Sequence, residues 1–219
     1  MLSGMHGSDR SERRLDPIAL EGRYVRLEPL AMAHVPGLLA VARGPRDTFA
    51  FFPVPSDEQA MCRYVEGLLR AQASATALPF ATVDRRTDQV VGATRFLNVE
   101  FWEWPAGSPH QRGAHVPDVV EIGGTWLAPS AQRSGINTEA KLLMLTHAFE
   151  GWRVHRVSLV TDARNTRSRN AILRLGARFD GVLRAARVAA DFTIRDTAAY
   201  SILEAEWPEL KARLAARLR

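Results

Sequence analysis

The sequence predicts an α/β fold of the α+β type, in which one mixed central sheet is flanked by helices. Two observations lead to this prediction. Apolar periodicity along the chain gives the element order β-α-α-β-β-β-α-β-α-β-β-α, and no segment repeats another. The chain has 219 residues, of which 46% are hydrophobic, and this size suits one domain with one core.

The first half of the chain contains four periodic segments. Residues 24–30 alternate apolar and polar side chains, as a half-buried strand does. Helical patterns follow at 33–43, with a proline near the start, and at 56–73, with acidic residues in the first turn. Residues 78–97 hold two β-rich runs around a charged turn, which predicts a hairpin.

The strongest strand pattern, at 118–128, carries Gly123 and Gly124 in its middle. Glycine weakens a strand, so the pair predicts a bulge or the close approach of another backbone. The pattern then predicts a helix at 136–149, a strand at 154–162, a helix at 165–177, two strands within 178–207 and a basic amphipathic helix at 208–219.

Residues 98–118 form a long segment without clean periodicity that contains Phe101, Trp102 and Trp104. Long loops in compact domains are usually functional or disordered. Two interpretations are open. The aromatic side chains form a lid or substrate wall, or they cover the edge of the core in an extension of the hairpin.

The start of the chain, MLSGMHGSDRSERR, is polar and lacks the apolar core of a secretory signal. We expect residues 1–14 to be disordered and residues 15–219 to form the single domain. No apolar run approaches the roughly 20 residues of a membrane span, so we expect no membrane partner. The single cysteine, Cys62, favours a reducing cytoplasm and a core or half-buried thiol.

The net charge is +5, and arginine supplies most of the positive charge. This balance is compatible with nucleic acid binding, an acidic partner or GC-rich codon usage. The chain lacks the combined aromatic and basic motifs of nucleic acid readers, so we expect no nucleic acid partner. No set of histidine, cysteine and acidic residues has metal-ligand spacing, so we expect no metal.

The junction LAPSAQRSGINTEAKLL, at 127–143, joins the strongest strand to a long helix. A helix N-terminus has unpaired N–H groups and a partial positive charge, and a preceding glycine lets an anion approach. Gln132, Arg133, Ser134, Gly135 and the helix start therefore suit a pyrophosphate. Alone this is a weak signal, because most such loops bind nothing.

The ordered set of motifs resembles the GNAT superfamily of acyl-CoA-dependent N-acyltransferases, and more closely the branch of ribosomal-protein N-terminal acetyltransferases. The set comprises LEGRYVRLEPL, the Gln132-x-x-Gly135-x-Asn137 loop, TDARNTRSRNAILRLGA and RDTAAYSILEAEWP. It covers roughly residues 17–215. Asn137 departs from the small residue that the family places at the end of its loop.

The resemblance implies a sheet that splays after the strand with the two glycines and a site for acetyl-CoA as the acyl donor. The pantetheine arm would pair with the backbone of Trp126, Leu127 and Ala128. The pyrophosphate would sit on Gln132 and on backbone groups at the helix start. The residues at that start are Arg133, Ser134, Gly135, Ile136, Asn137 and Thr138. Asn165 would contact the arm, Ser168 would lie near the sulfur, and Arg167 or Arg169 could meet the phosphates.

The catalytic candidates are Glu121, Ser168 and Tyr200. Glu121 is in phase with Gly123 and is the candidate base, although a strand-edge ion pair is the alternative. Many relatives carry a tyrosine that acts as the acid at this position of the helix. This chain has Ile172 there, so that tyrosine is absent. Ser168 is then the candidate acid, and its alternative role is to satisfy the first helical turn. Tyr200 lines the acceptor side or packs in the core, and His115 is a weaker candidate.

Together these observations predict a one-domain acetyltransferase that moves acetyl from acetyl-CoA to a primary amine by direct attack. The acceptor is a protein N-terminus, an amino acid or a small amine. A donor such as succinyl-CoA and a non-catalytic acyl-CoA-binding or sensor protein are the alternatives. Dimerisation is common among similar proteins, so a homodimer through the late strands is a further expectation.

Overall fold

The computed structural model describes residues 13–113 and 115–218. The expected disorder of residues 1–14 lies outside the described residues except at Arg13 and Arg14. The Arg13 guanidinium lies over the Phe101 ring, 4.9 Å from its centroid. The division into a lead-in and one domain therefore stays a prediction.

The described strands and helices follow the predicted order, with one additional short strand at the beginning. The strands are β1 (Leu20–Glu21), β2 (Val25–Pro29), β3 (Ala77–Asp84), β4 (Gln89–Glu100), β5 (Val119–Leu127), β6 (Arg156–Asp162), β7 (Arg178–Val188) and β8 (Ile194–Leu203). The helices are α1 (Val35–Ala42), α2 (Glu58–Ala73), α3 (Gly135–Thr146), α4 (Thr166–Leu175) and α5 (Trp207–Ala216). Helix α3 continues into a π-helical segment, His147–Trp152.

The eight strands form one sheet in the order β1-β2-β3-β4-β5-β6-β8-β7. Neighbouring strands are antiparallel except β5 and β6, which are parallel, so the predicted mixed sheet is confirmed. Helices α1 and α2 cover one face with a core that includes Leu38, Val65 and Trp126. Helices α3, α4 and α5 contribute to the other core, around Met144 and Leu214.

Strands β5 and β6 pair only at their beginnings. The registered pairs run from Val119 with Arg156 to Glu121 with Ser158. Both strands continue beyond these pairs, to Leu127 and Asp162, without pairing to each other. The sheet is therefore splayed, as the resemblance implies, and one edge of β5 is open beyond Glu121.

A β-bulge distorts β5 at the position of the two glycines. Ala93 of β4 pairs with Trp126, and Arg95 pairs with Gly123, so β5 carries one extra residue between these pairs. Gly124 takes up the bulge with φ +57°, a conformation that other residues rarely adopt. A Cβ atom there would lie 2.6 Å from the Arg95 Cζ atom. The bulge, one of the two reasons that the sequence offered, is confirmed, whereas the group that approaches Gly124 is the Arg95 side chain and not another backbone.

Glu139 attaches helix α3 to the first hairpin. Its buried carboxylate accepts backbone N–H bonds from Arg23 at 2.8 Å, Tyr24 at 2.6 Å and Val25 at 2.9 Å. Gly22 leaves room for it, because a Cβ at that position would lie 2.3 Å from the carboxyl group. This contact fixes the N-terminal part of α3 against the sheet, where the candidate site lies.

Among the described residues, no helix is long and apolar enough to cross a membrane.

Candidate active site

The separation of β5 from β6 opens a cleft with a volume of about 780 Å³. Its walls come from β5, the start of α3, the end of β6 and helix α4, together with the segment between α1 and α2. Of the predicted site residues, the cleft brings together Glu121, Trp126, Leu127, Gln132, Arg133, Ser134, Asn137, Thr138, Asn165 and Ser168.

The loop before α3 is held by its own side chains. The Ser134 hydroxyl donates to the Ala131 carbonyl at 2.6 Å and accepts the Ile136 N–H at 3.3 Å. Ser134 is therefore the N-cap of α3. The Gln132 side chain donates to the Leu127 carbonyl at 2.9 Å, which ties the loop to the end of β5. These bonds assign Gln132 and Ser134 to shaping the loop.

Gly135 and Asn137 form the first turn of α3. Gly135 faces the Tyr24 ring, and a Cβ at residue 135 would lie 3.1 Å from that ring. The Asn137 side-chain oxygen is buried, and it has no hydrogen-bond partner among the described residues. Thr138 lines the cleft beside it. Gly135 lies outside the cleft lining, and the Asn137 side-chain oxygen is an acceptor, so it is the N–H groups of this helix start that fit an anionic ligand.

The end of β5 differs in part from the expectation for the pantetheine arm. Trp126 and Leu127 line the cleft, whereas Ala128 is not among the lining residues. The Ala128 N–H donates to the Val91 carbonyl at 2.7 Å. The Trp126 indole N–H donates to the Tyr64 hydroxyl at 3.2 Å. The backbone of Trp126 and Leu127 therefore remains the candidate contact, and Ala128 faces β4.

Asn165 and Ser168 begin helix α4 on the opposite side of the cleft. The Asn165 side-chain oxygen accepts the Ser168 N–H at 3.0 Å and caps the helix. The Ser168 hydroxyl makes no hydrogen bond to any residue that the structure describes, so it is available to a ligand. The role of satisfying the first turn thus belongs to Asn165.

Glu121 lies at the bottom of the cleft, where β5 and β6 separate. Its carboxylate accepts a hydrogen bond from the Asn98 side chain at 2.7 Å. Burial raises its pKa above 4.5, and the Asn98 bond opposes this shift, as do the charges of Arg187, Arg95 and Arg195. A buried carboxylate with a raised pKa suits a general base.

Lys141 is a cleft residue that the sequence interpretation missed. It is buried on α3, and its Nζ donates to the Thr125 hydroxyl at 2.7 Å and to the Thr94 hydroxyl at 3.1 Å. Burial lowers its pKa from 10.5 to about 7. A signal existed in the composition, because the chain has only two lysines among its many arginines, and one lies inside the long amphipathic helix.

Tyr200 lies outside the cleft lining. It is 1% exposed, packs against the Phe179 ring at 5.3 Å, and accepts a hydrogen bond from Arg169 Nε at 3.0 Å. These surroundings match the core-packing alternative for Tyr200. The Arg169 guanidinium is thus bound to Tyr200. Arg167 instead lines the cleft and donates to the Gln132 side-chain oxygen at 3.3 Å and to the Thr48 carbonyl at 3.0 Å.

The aromatic residues of the long loop lie at the closed end of the split. Trp102 stacks on His155 at 5.8 Å, and the Trp104 indole donates to Asp118 at 2.6 Å. Neither tryptophan nor His115 is among the described residues that line the cleft. The loop therefore covers the beginnings of β5 and β6, which matches the second interpretation of this segment.

The aromatic wall of the cleft comes from an unexpected segment, between α1 and α2. Thr48, Phe49, Phe51 and Phe52 line it there. Phe49 also packs edge-to-face on Trp126 at 5.9 Å. The signal was the short aromatic run TFAFFP between two helices. Its position beside β5 depends on tertiary packing.

Comparisons with known proteins agree with this geometry. Residues 25–178 match the family model described as "Acetyltransferase (GNAT) domain". A GCN5-related N-acetyltransferase from Brucella melitensis has 29% identity and a TM-score of 0.80, with 94% of this chain and 87% of that chain covered. A proposed acetyltransferase from T. thermophilus has 37% identity and a TM-score of 0.75, with 94% and 99% covered.

RimJ from Mycobacterium smegmatis, solved in complex with CoA-disulfide, has the same fold at 23% identity and a TM-score of 0.75, with 92% of this chain and 95% of that chain covered. No curated protein matches the chain. The family model covers most of the chain, and the chain therefore belongs to the GNAT acetyltransferase family.

Proposed function

We propose that this protein transfers the acetyl group of acetyl-CoA to a primary amine by direct attack, without a covalent enzyme intermediate. The observation that carries the proposal is the opening of the sheet beyond Glu121 and Ser158, beside the N-terminus of α3. A thioester donor needs such an extended slot with an anion site at its end. Membership of the GNAT family supports the same reaction.

The start of α3 supplies the donor's anion site. Its first N–H groups and its partial positive charge favour a pyrophosphate. The Ser134 hydroxyl already satisfies the Ile136 N–H, so the backbone amides on either side of Ile136 and the side-chain NH2 group of Asn137 are the proposed donors to the phosphates. Arg133 and Arg167, which line the same end of the cleft, add positive charge there.

The open edge of β5 orients the reacting group. Beyond Glu121, backbone groups of β5 that would pair with β6 in a continuous sheet are the proposed contacts for the donor, apart from the Leu127 carbonyl, which Gln132 already binds. Backbone N–H groups in this position can stabilise the oxyanion that forms when an amine attacks a thioester. Positioning alone provides a large part of such a rate enhancement.

Glu121 is the proposed base that takes a proton from the ammonium form of the acceptor, so that the neutral amine can attack the thioester. The pKa of Glu121 is raised above that of an exposed glutamate and is therefore nearer to physiological pH, which favours proton transfer. The Asn98 side chain holds one carboxylate oxygen in place. Ser168, whose hydroxyl is uncommitted at the other wall, is the proposed donor of a proton to the departing thiolate.

The test is to incubate the protein with acetyl-CoA and a panel of amines, amino acids and peptides. The free thiol of the released coenzyme and the mass of each acceptor are measured. We expect thiol release that depends on the acceptor, and an acceptor mass that increases by one acetyl group. Binding of acetyl-CoA without any transfer would contradict the proposal and favour a non-catalytic binder. Parallel reactions with succinyl-CoA determine the preferred acyl group.

We also propose that the protein forms a homodimer through the β7–β8 hairpin. Strand β7 is an edge strand exposed along almost its whole length, and the hairpin presents apolar side chains such as Phe192, 90% exposed, and Ile194, 79% exposed. Sedimentation analysis should give a dimer for the wild type and a monomer for Ile194→Glu. A wild-type monomer would contradict this.

We also propose that the protein functions in the reducing cytoplasm, because its single cysteine, Cys62, is a free thiol.

A further inference from the structure

Three arginine side chains from three different strands share the cleft with Glu121. Arg95 comes from β4, Arg187 from β7 and Arg195 from β8, and all three line the cleft together with Glu121. Each is close enough for its charge to lower the pKa of Glu121. Strands that are distant in the sequence therefore place positive charge around one carboxylate.

These arginines are not held in close ion pairs within the part of the chain that the structure describes. Among the described residues, none of the three forms an ion pair within 4.0 Å. Arg95 makes only a long hydrogen bond to the Tyr64 hydroxyl, at 3.4 Å, and the Arg195 Nε atom is buried without a partner. Asp162, the other carboxylate in the cleft lining, is already bound by Arg164 at 2.8 Å. The acceptor end of the cleft thus has an excess of positive charge.

Arg187 and Arg195 are direct partners in the antiparallel β7–β8 ladder. Like charges directly opposite each other destabilise a sheet. Burial lowers the pKa of Arg195, and the neighbouring charge of Arg187 lowers it further. A bound anion between the two guanidinium groups would turn this repulsion into attraction.

The phosphates of the donor do not account for this charge. The proposed phosphate site lies after the end of β5, whereas Glu121 lies six residues before that end. Arg133 and Arg167 already supply positive charge at the phosphate site, whereas the charges of Arg95, Arg187 and Arg195 act on Glu121. These three arginines are therefore left for an anionic group of the second substrate.

We propose that Arg95, Arg187 and Arg195 bind an anionic group of the acceptor, so that the substrate is a small primary amine carrying a carboxylate or a phosphate. This inference rests on the proposed acetyl transfer. Guanidinium groups bind both anions through paired N–H bonds. They would hold the amine beside Glu121, which removes its proton, and the raised pKa of that carboxylate would fall when the ammonium approaches.

Matched acceptors test the proposal. Alanine is compared with alaninamide, phosphoethanolamine with ethanolamine, and alanyl-glutamate with alanyl-glutamine. We expect alanine to have a higher kcat/KM than alaninamide, or phosphoethanolamine a higher kcat/KM than ethanolamine. The first result would identify a carboxylate as the anionic group, and the second a phosphate. Equal kcat/KM within both small pairs, or a preference for the dipeptides over the small amines, would overturn the inference while leaving acetyl transfer intact.

Variants connect the preference to the arginines. Arg195→Gln and Arg187→Gln should lower kcat/KM for the anionic amine roughly 10- to 100-fold more than they lower it for the neutral amine. Arg195→Lys should recover part of the loss. The matched control is Arg184→Gln, an exposed arginine of β7 that does not line the cleft and should change neither value. An equal loss for both amines would show a merely structural role and overturn the inference.

Binding measurements keep the test independent of turnover. Calorimetry on protein saturated with CoA should show binding of the anionic amine and weaker or undetectable binding of its neutral partner. Arg195→Gln should abolish the difference. If the wild type binds neither amine, or both equally, the anion site is refuted. If it binds the anionic amine but never acetylates it, the anion site stands and the proposed acetyl transfer fails.

Discussion

Glu121 on β5 and Ser158 on β6 form the last registered pair that joins these two parallel strands. Beyond this pair the strands separate, although each continues for several residues. Glu121 is therefore held by the closed part of the sheet while its carboxylate lies in the opening. The same pair sets the depth of the cleft and the position of its candidate base.

Replacing the candidate base should reduce turnover without unfolding the protein. Glu121→Gln should lower kcat by roughly 100-fold or more, because a positioned base contributes about that much. Wild-type activity should rise with pH as the carboxylate ionises, through a pKa above 4.5, and the variant should lose this limb. The pH dependence of kcat measures both.

Stability provides the control for this variant. Because the folded-state pKa of Glu121 is raised, the folded protein holds its proton more tightly than the unfolded chain. The stability that this proton contributes is lost as pH rises from the pKa of Glu121 in the unfolded chain to its pKa in the folded protein. Glu121→Gln should thus be at least as stable as the wild type at neutral pH. A variant that keeps wild-type kcat would exclude Glu121 as the base.

Lys141 should make stability depend on pH above neutrality. Burial lowers its folded-state pKa from 10.5 to about 7, so between these values the unfolded chain binds more protons than the folded one. Wild-type unfolding free energy should therefore contain a contribution that rises with pH from about 7 towards 10.5. Lys141→Met should lack this contribution. Its unfolding free energy should exceed that of the wild type by the largest amount at or below neutral pH.

The matched control for this prediction is Lys211→Met. Lys211 lies near the surface and contacts the Glu150 carboxylate at 2.7 Å. This variant should retain the pH dependence that Lys141 causes. Chemical denaturation at a series of pH values gives all three curves, and parallel curves for wild type and Lys141→Met would be inconsistent with a buried, deprotonating lysine.

Glu139 should be important for stability. Glu139→Ala leaves the N–H groups of Arg23, Tyr24 and Val25 without their acceptor. The expected loss is about 4.5 kcal/mol of unfolding free energy, since each of the three lost bonds to a charged group costs about 1.5 kcal/mol. Glu66→Ala, at an exposed position of α2, should change stability by less than about 0.5 kcal/mol. Similar losses for both variants would contradict this role.

Sequence patterns predicted the strands, the helices and the turn before α3, because these features are local. Apolar periodicity marks each element, and the Gly123-Gly124 pair predicts the bulge by its own conformational cost. The cap of α4 by Asn165 and the turn before α3 also depend on neighbours in the sequence. Such features are readable without knowledge of the tertiary fold.

The part of the cleft around Glu121 was less predictable, because distant segments meet there. Arg187 and Arg195 come from a hairpin whose tip position no local pattern specifies, and Thr48 and the nearby phenylalanines lie in a loop. Lys141 was overlooked because its burial depends on contacts with β4 and β5. Tyr200 has the residue type of an active-site acid, but its strand directs it into the core.

The central claim is that acetyl-CoA binds with its phosphates at the start of α3. Two variants place negative charge there. Gly135→Glu adds bulk and charge, while Asn137→Asp keeps the volume of the side chain. The latter should leave the free protein as stable as wild type, because an acidic residue in the first turn favours a helix. Gly67→Glu is the control, since a Cβ there meets only the end of the Arg70 side chain, at 3.8 Å.

The deciding measurement is the rise in thermal midpoint that saturating acetyl-CoA causes in each protein. Binding to the folded state alone raises the midpoint by mass action. We expect a clear rise for the wild type and Gly67→Glu, a much smaller rise for Asn137→Asp, and none for Gly135→Glu. Equal rises in all four proteins would show that acetyl-CoA does not bind at the start of α3.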